Sequence, residues 1–153
     1  MQPIARTSRR ALLLGLAALS LLRPAPASAA EPTRLTFEEL YSAMTVLGMT
    51  MSEKVKALAG KQVTMRGFMA PPLKAEANFF VLTAIPMSIC PFCDSDADWP
   101  ADIVVIYLDS ARTFEQANAQ IEVTGTLQVG SWTDPETGFV SLLRIVDADF
   151  RGA

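Results

Sequence analysis

The side chains best equipped for chemistry are Cys90 and Cys93, the only two cysteines of the chain, spaced Cys-Pro-Phe-Cys. Asp94, Asp96 and Asp98 follow at alternate positions. Three chemistries compete for this spacing. Two thiolates three residues apart can bite one soft ion, at Zn–S distances of about 2.3 Å. A four-coordinate zinc then needs two more ligands, and Asp94 and Asp96 are the nearest oxygens. Met87 with a second thioether would instead favour copper, because soft sulfur ligands select Cu(I). The second chemistry is thiol–disulfide exchange. Glutaredoxin-type motifs put a low-pKa cysteine at a helix N-terminus, yet residues 94–100 do not continue as a helix, and the acids there raise a thiol pKa. The third is a static Cys90–Cys93 disulfide, formed after export. Closing so short a ring removes little chain entropy, so it would fix local geometry more than global stability.

Other constellations are absent from the sequence. There is no histidine, so no ordinary Ser-His or Cys-His pair can be built. No phosphate-cradling glycine loop or dinucleotide fingerprint occurs. The alternating aspartates lack the glycine and the closing glutamate of a calcium loop. The expectation is a non-enzymatic module.

The apolar pattern says what must hold the cysteines. Residues 79–85 and 102–108 are apolar on both faces, as buried strands are, and the cysteine segment joins them. Residues 62–69 and 121–129 alternate with a period of two and read as strands, as do residues 140–146. Asp134-Pro135-Glu136-Thr137-Gly138 reads as a turn, with Pro135 and Gly138 at its corners. Two N-terminal helices are expected. One starts near Leu35 and stops at Gly48, with Thr36, Glu38 and Glu39 at its start. The other covers residues 52–59, capped by Ser52 and ended by Gly60. A short helix is expected over residues 111–118. Five strands with a helix between the third and fourth describe a mainly β (α+β) chain, a partly open OB-like barrel. Trp99 and Trp132 are the exposed-aromatic candidates and read as structural lids on that barrel. The methionines other than Met87 sit at spacings that suit core filling.

The 153 residues allow one domain. Residues 1–30 have four arginines and no acid, a 12-residue apolar stretch and a small-residue exit, which together make a secretory signal peptide. Ser8-Arg9-Arg10-Ala11-Leu12-Leu13 looks like a twin-arginine start. That route exports folded protein, so the thiols would first meet a reducing compartment. The expectation is a periplasmic domain spanning residues 31–153, with no stable membrane span after cleavage. Without residues 1–30, nine basic residues face 16 acids, a net charge of −7. A nucleic-acid partner is excluded on that balance, since phosphate binding needs a basic surface.

Residues 58–72 (Leu-Ala-Gly-Lys-Gln-Val-Thr-Met-Arg-Gly-Phe-Met-Ala-Pro-Pro) and the Phe79-Phe80-Val81-Leu82 run carry a resemblance. They are similar to a family of small exported bacterial proteins of unknown function with OB-like folds, and the likeness covers roughly residues 35–147. Members often have a histidine and prolines after the first cysteine, where this chain has Pro91-Phe92 and no histidine. The resemblance implies work beside an ABC-type envelope transport system, in metal handling; the cysteines themselves point to zinc or copper as the metal, and another periplasmic protein is the alternative partner. Combined with the residues themselves, the expectation is a periplasmic binding or accessory protein acting through Cys90 and Cys93, assisted by Asp94 or Asp96. A redox protein or a structural adaptor are the alternatives.

Overall fold

The structure, a computed structural model, describes residues 31–45, 48–71, 78–86, 100–110 and 119–153. These are mainly β-structure. Eight strands run in chain order: β1 (Thr33–Arg34), β2 (Tyr41–Thr45), β3 (Gly48–Met51), β4 (Gln62–Met69), β5 (Phe79–Thr83), β6 (Ile103–Leu108), β7 (Gln120–Thr133) and β8 (Val140–Gly152). Among the described residues one α-helix, α1 (Glu53–Leu58), lies between β3 and β4. Strands β4 to β8 fall on the five segments read from the apolar pattern. The main sheet has the order β1-β4-β5-β6-β8-β7, and β7 also pairs with β4. The pairings therefore return to β4, which leaves few free edges. The β6–β8 ladder is parallel, and β4–β5, β5–β6, β7–β8 and β4–β7 are antiparallel.

Cross-strand register sorts the side chains onto two faces, because directly paired residues point the same way. Met65 pairs with Val123, Met69 with Leu82, Leu82 with Val104, and Phe80 with Ile106. Ile106 pairs with Ile145, and Ile145 with Leu127. All of these are buried and form the core. Fully burying one such side chain contributes about 1.5–3 kcal/mol. Two glycines let the ladders approach. A Cβ on Gly67 would lie 2.7 Å from the Thr83 carbonyl oxygen and 2.9 Å from Leu82 Cγ. A Cβ on Gly125 would lie 2.7 Å from the Val146 carbonyl oxygen, where the β7–β8 register slips.

The N-terminal part departs from the sequence expectation. The helix expected from Leu35 to Gly48 is one 3-10 turn, Phe37–Glu39, followed by the β2–β3 hairpin. The start signal is real, because the Glu39 carboxylate accepts a hydrogen bond from Thr36 N at 3.0 Å. It is spent on one turn. Glu39 then holds Lys54 Nζ at 2.7 Å, and its carbonyl accepts from Ser52 Oγ at 2.6 Å. Gly48, with φ of +113°, serves the hairpin instead of ending a helix. Residues 33–34, read as a tail, form β1 parallel to β4. The second helix is as expected. Ser52 Oγ accepts from Val55 N at 3.1 Å, and Gly60 follows with φ of +76°. The helix expected over residues 111–118 lies outside the described residues.

Candidate functional site

Cys90, Cys93, Asp94 and Asp96, with Met87, Asp98 and Trp99, all fall in residues 87–99, outside the described residues. The described chain fixes the two ends of that segment. β5 and β6 pair without interruption from Phe79 with Tyr107 to Thr83 with Ile103. Beyond the last pair, Ala84 N still donates to the Asp102 carbonyl at 3.0 Å. Thr83 Oγ1 donates to the Phe68 and Ile85 carbonyls at 3.2 and 2.7 Å. Residues 84 and 102 are thus held side by side, and the cysteine segment leaves and returns at one place.

The 3-10 turn and β2 make a groove of 410 Å³ beside this place, lined by Phe37, Glu38, Tyr41, Ser42, Ala43, Met44 and Ala101. Ala101 precedes Asp102, the residue whose carbonyl holds Ala84 N. Two large apolar side chains stay exposed here, Met44 at 70% and Ile85 at 59%. Met65 and Met69 are buried, and Met49 and Met51 pack against the core. Met44 is thus the described methionine that departs from core filling.

A second cluster was not legible in the sequence. The face of β5 and β6 that carries Phe79, Val81, Val105 and Tyr107 is covered by the far end of the β7–β8 hairpin. Phe79 meets Phe139 at 5.2 Å and Tyr107 at 5.1 Å between ring centroids. Tyr107 meets Trp132 edge-on at 5.3 Å, and its hydroxyl donates to Asp134 Oδ2 at 3.0 Å. Asp134 Oδ1 accepts from Glu136 N, Thr137 N and Thr137 Oγ1 at 2.8–2.9 Å, which closes the turn. Arg144 lies beneath Trp132, with its guanidinium carbon 5.2 Å from the ring centroid. Its Nε donates to Gln128 Oε1 at 3.0 Å and its Nη1 to the Gly130 carbonyl at 2.8 Å. The lid expected at Trp132 is what the ring contacts describe.

The electrostatics of this cluster follow from burial and pairing. Burial, then the hydrogen bond to Asp134, raises the Tyr107 phenol far above the ordinary tyrosine range. Burial alone would raise the Asp134 carboxyl. Hydrogen bonds from Thr137, Tyr107 and Glu136 outweigh it, so the carboxyl titrates below its usual range. Burial lowers the Arg144 guanidinium. Each group holds one protonation state near neutral pH, which suits a structural role more than proton transfer.

The opposite rim of the sheet is polar. Glu122 bridges Arg66, at 2.7 Å, and Arg151, and these arginines lower its pKa, Arg151 most. Thr64 and Thr124 share a hydroxyl contact of 2.9 Å. Among the described residues no group of three or more Asp, Glu, Cys or His stands ready to hold a metal ion. No described helix is long and apolar enough to cross a membrane.

By sequence, no family model and no curated protein matches this chain. By structure, it is similar to a DUF3299 family protein from Pseudomonas aeruginosa PAO1, with a TM-score of 0.52 and 15% identity. The likeness covers 80% of this chain and 96% of that one. At that identity it is a likeness of fold, to a member of an uncharacterised bacterial family.

Proposed function

We propose that this chain is a periplasmic, non-enzymatic binding or accessory protein that handles a transition metal, zinc or copper, in the service of an envelope transport system. Cys90 and Cys93 are its metal-binding thiolates, with Asp94 or Asp96 as the assisting oxygen. The observation that carries this reading is the base beneath the cysteine segment. The last β5–β6 pair, Thr83 with Ile103, and the Ala84–Asp102 hydrogen bond hold its two ends together. Cys90 and Cys93 are three residues apart in sequence, a spacing at which two thiolates can bite one soft ion. The arginine-rich start of residues 1–30 supports export, and the fold likeness to a DUF3299 protein agrees with a small β module.

The frame on which this works is, in our reading, an OB-like barrel. In support, the five long strands pair in the order β4-β5-β6-β8-β7 and back to β4, with the third and fifth of them parallel. The face of β5 and β6, which in such barrels often takes ligands, is here covered by Trp132 and Phe139. Binding is thereby left to the cysteine end.

The test is a competition titration of the reduced mature protein with zinc and Cu(I) against a chromophoric chelator. Cys90→Ser and Cys93→Ser should each lose the site while retaining the native circular dichroism. Equal affinity in wild type and both variants would refute the assignment.

A further inference from the structure

The proposed site has sulfur from two cysteines, and the fold brings further sulfur close to where their segment begins and ends. Met44 and Met49 are direct cross-strand partners in the β2–β3 hairpin. Directly opposed residues share a face, with Cβ atoms about 4.5–5.5 Å apart. Two thioethers at that separation can reach one ion. The two side chains differ in a useful way. Met49 packs against the core and is anchored, whereas Met44 stands 70% exposed. Packing accounts for Met49 and leaves Met44 without a core role. Met44 also lines the groove to which Ala101, next to Pro100, contributes. Among the described residues Glu38 is the one carboxylate lining that groove.

We infer that Met44 and Met49 form a two-thioether port for a soft monovalent cation of the Cu(I) class, on the β2–β3 hairpin at the groove that Met44 and Ala101 line. The inference rests on the proposed metal-handling role and adds the cation class and an entry point. Thioethers are neutral and soft, so they select Cu(I) over zinc. They also carry no proton to lose. Thiolates must be deprotonated to bind, so cysteine affinity falls in acid. The methionine pair keeps its lone pairs at every pH of interest, and the port would load where thiols are protonated.

The experiment uses mature protein carrying 13C-methyl methionine, titrated with Ag(I) as a redox-inert stand-in for Cu(I), at pH 5 and pH 7. Methyl signals are assigned by single Met→Leu substitutions. The expected result is that the Met44 and Met49 methyls move together at both pH values, and still move in the Cys90→Ser/Cys93→Ser variant. Met44→Leu/Met49→Leu should weaken Ag(I) binding at pH 5 by about tenfold or more. Leucine keeps the volume, and an unchanged amide spectrum shows that the hairpin still folds. If Ag(I) binds through the cysteines while both methyls stay in place, the port is overturned and the proposed function stands. If both methyls respond and the cysteine variant binds as tightly as wild type at pH 7, the port stands and the cysteine site is overturned. No binding in any form would overturn both.

Discussion

Two parts of this molecule carry unusual side chains outside the core, and they treat them in opposite ways. Under the β7–β8 arm, Tyr107, Asp134 and Arg144 each have protein partners, and aromatic rings enclose them. At the β2–β3 hairpin, Met44 and the groove beside it are open. A buried polar network that is satisfied rigidifies and specifies a fold. An open, two-stranded hairpin is weakly stable by itself, and elements that meet ligands come from the less stable end of a structure. The more elaborate cluster thus suits a structural role, and the plainer one is where we propose that binding occurs.

The largest effect should come from the frame that both regions share. Leu82→Ala removes a fully buried side chain paired with Met69 and Val104. It should cost about 2–5 kcal/mol, read by chemical denaturation. Next is the arm. Asp134→Ala strips the turn of its acceptor and leaves the Tyr107 hydroxyl without its partner. A loss of about 1–3 kcal/mol is expected, with a red shift of Trp132 emission in a Trp99→Phe background. If the arm were dispensable, neither would change.

The arm should also have a pH window. The Asp134 pKa is lowered by folding, so its contribution is present above the ordinary carboxylate pKa of about 3.9 and is lost as pH falls through the lower folded value. The Tyr107 pKa is raised, so its contribution is complete below about pH 10 and is lost as pH rises through the folded value. Trp132 emission should therefore be flat between these limits and change outside them. Asp134→Asn should abolish the acid limb alone. The smallest stability effect is expected at the hairpin. Met44→Leu should change unfolding free energy by no more than about 0.5 kcal/mol, measured by the same denaturation. A large loss would mean that Met44 serves packing.

Much of the frame was legible because it depends on repeating pattern. The alternation in β4 and β7 reflects strands with one buried face, and the apolar runs of β5 and β6 reflect strands buried on both. Pattern failed where single residues decide. Thr36 and Glu39 announce a helix start that lasts one turn, because Tyr41–Thr45 finds a partner in Gly48–Met51. The arm cluster depends on Tyr107 meeting Asp134, 27 residues apart, and on Arg144 meeting Gly130. The turn at Asp134-Pro135 was readable, and what it would cover was not, since no local spacing encodes where a hairpin end comes to rest. The cysteine pair was legible from spacing alone, and the structure adds the fixed base beneath it.

The function proposed for this chain rests on Cys90 and Cys93 binding a metal. The most direct measurement is native mass spectrometry of the mature protein, purified from the periplasm without chelator, in wild type and in Cys90→Ser. The expected result is a mass excess of one zinc or copper ion in wild type and none in the variant. A wild-type mass lower by two hydrogens, with no metal, would mean a Cys90–Cys93 disulfide and would contradict it.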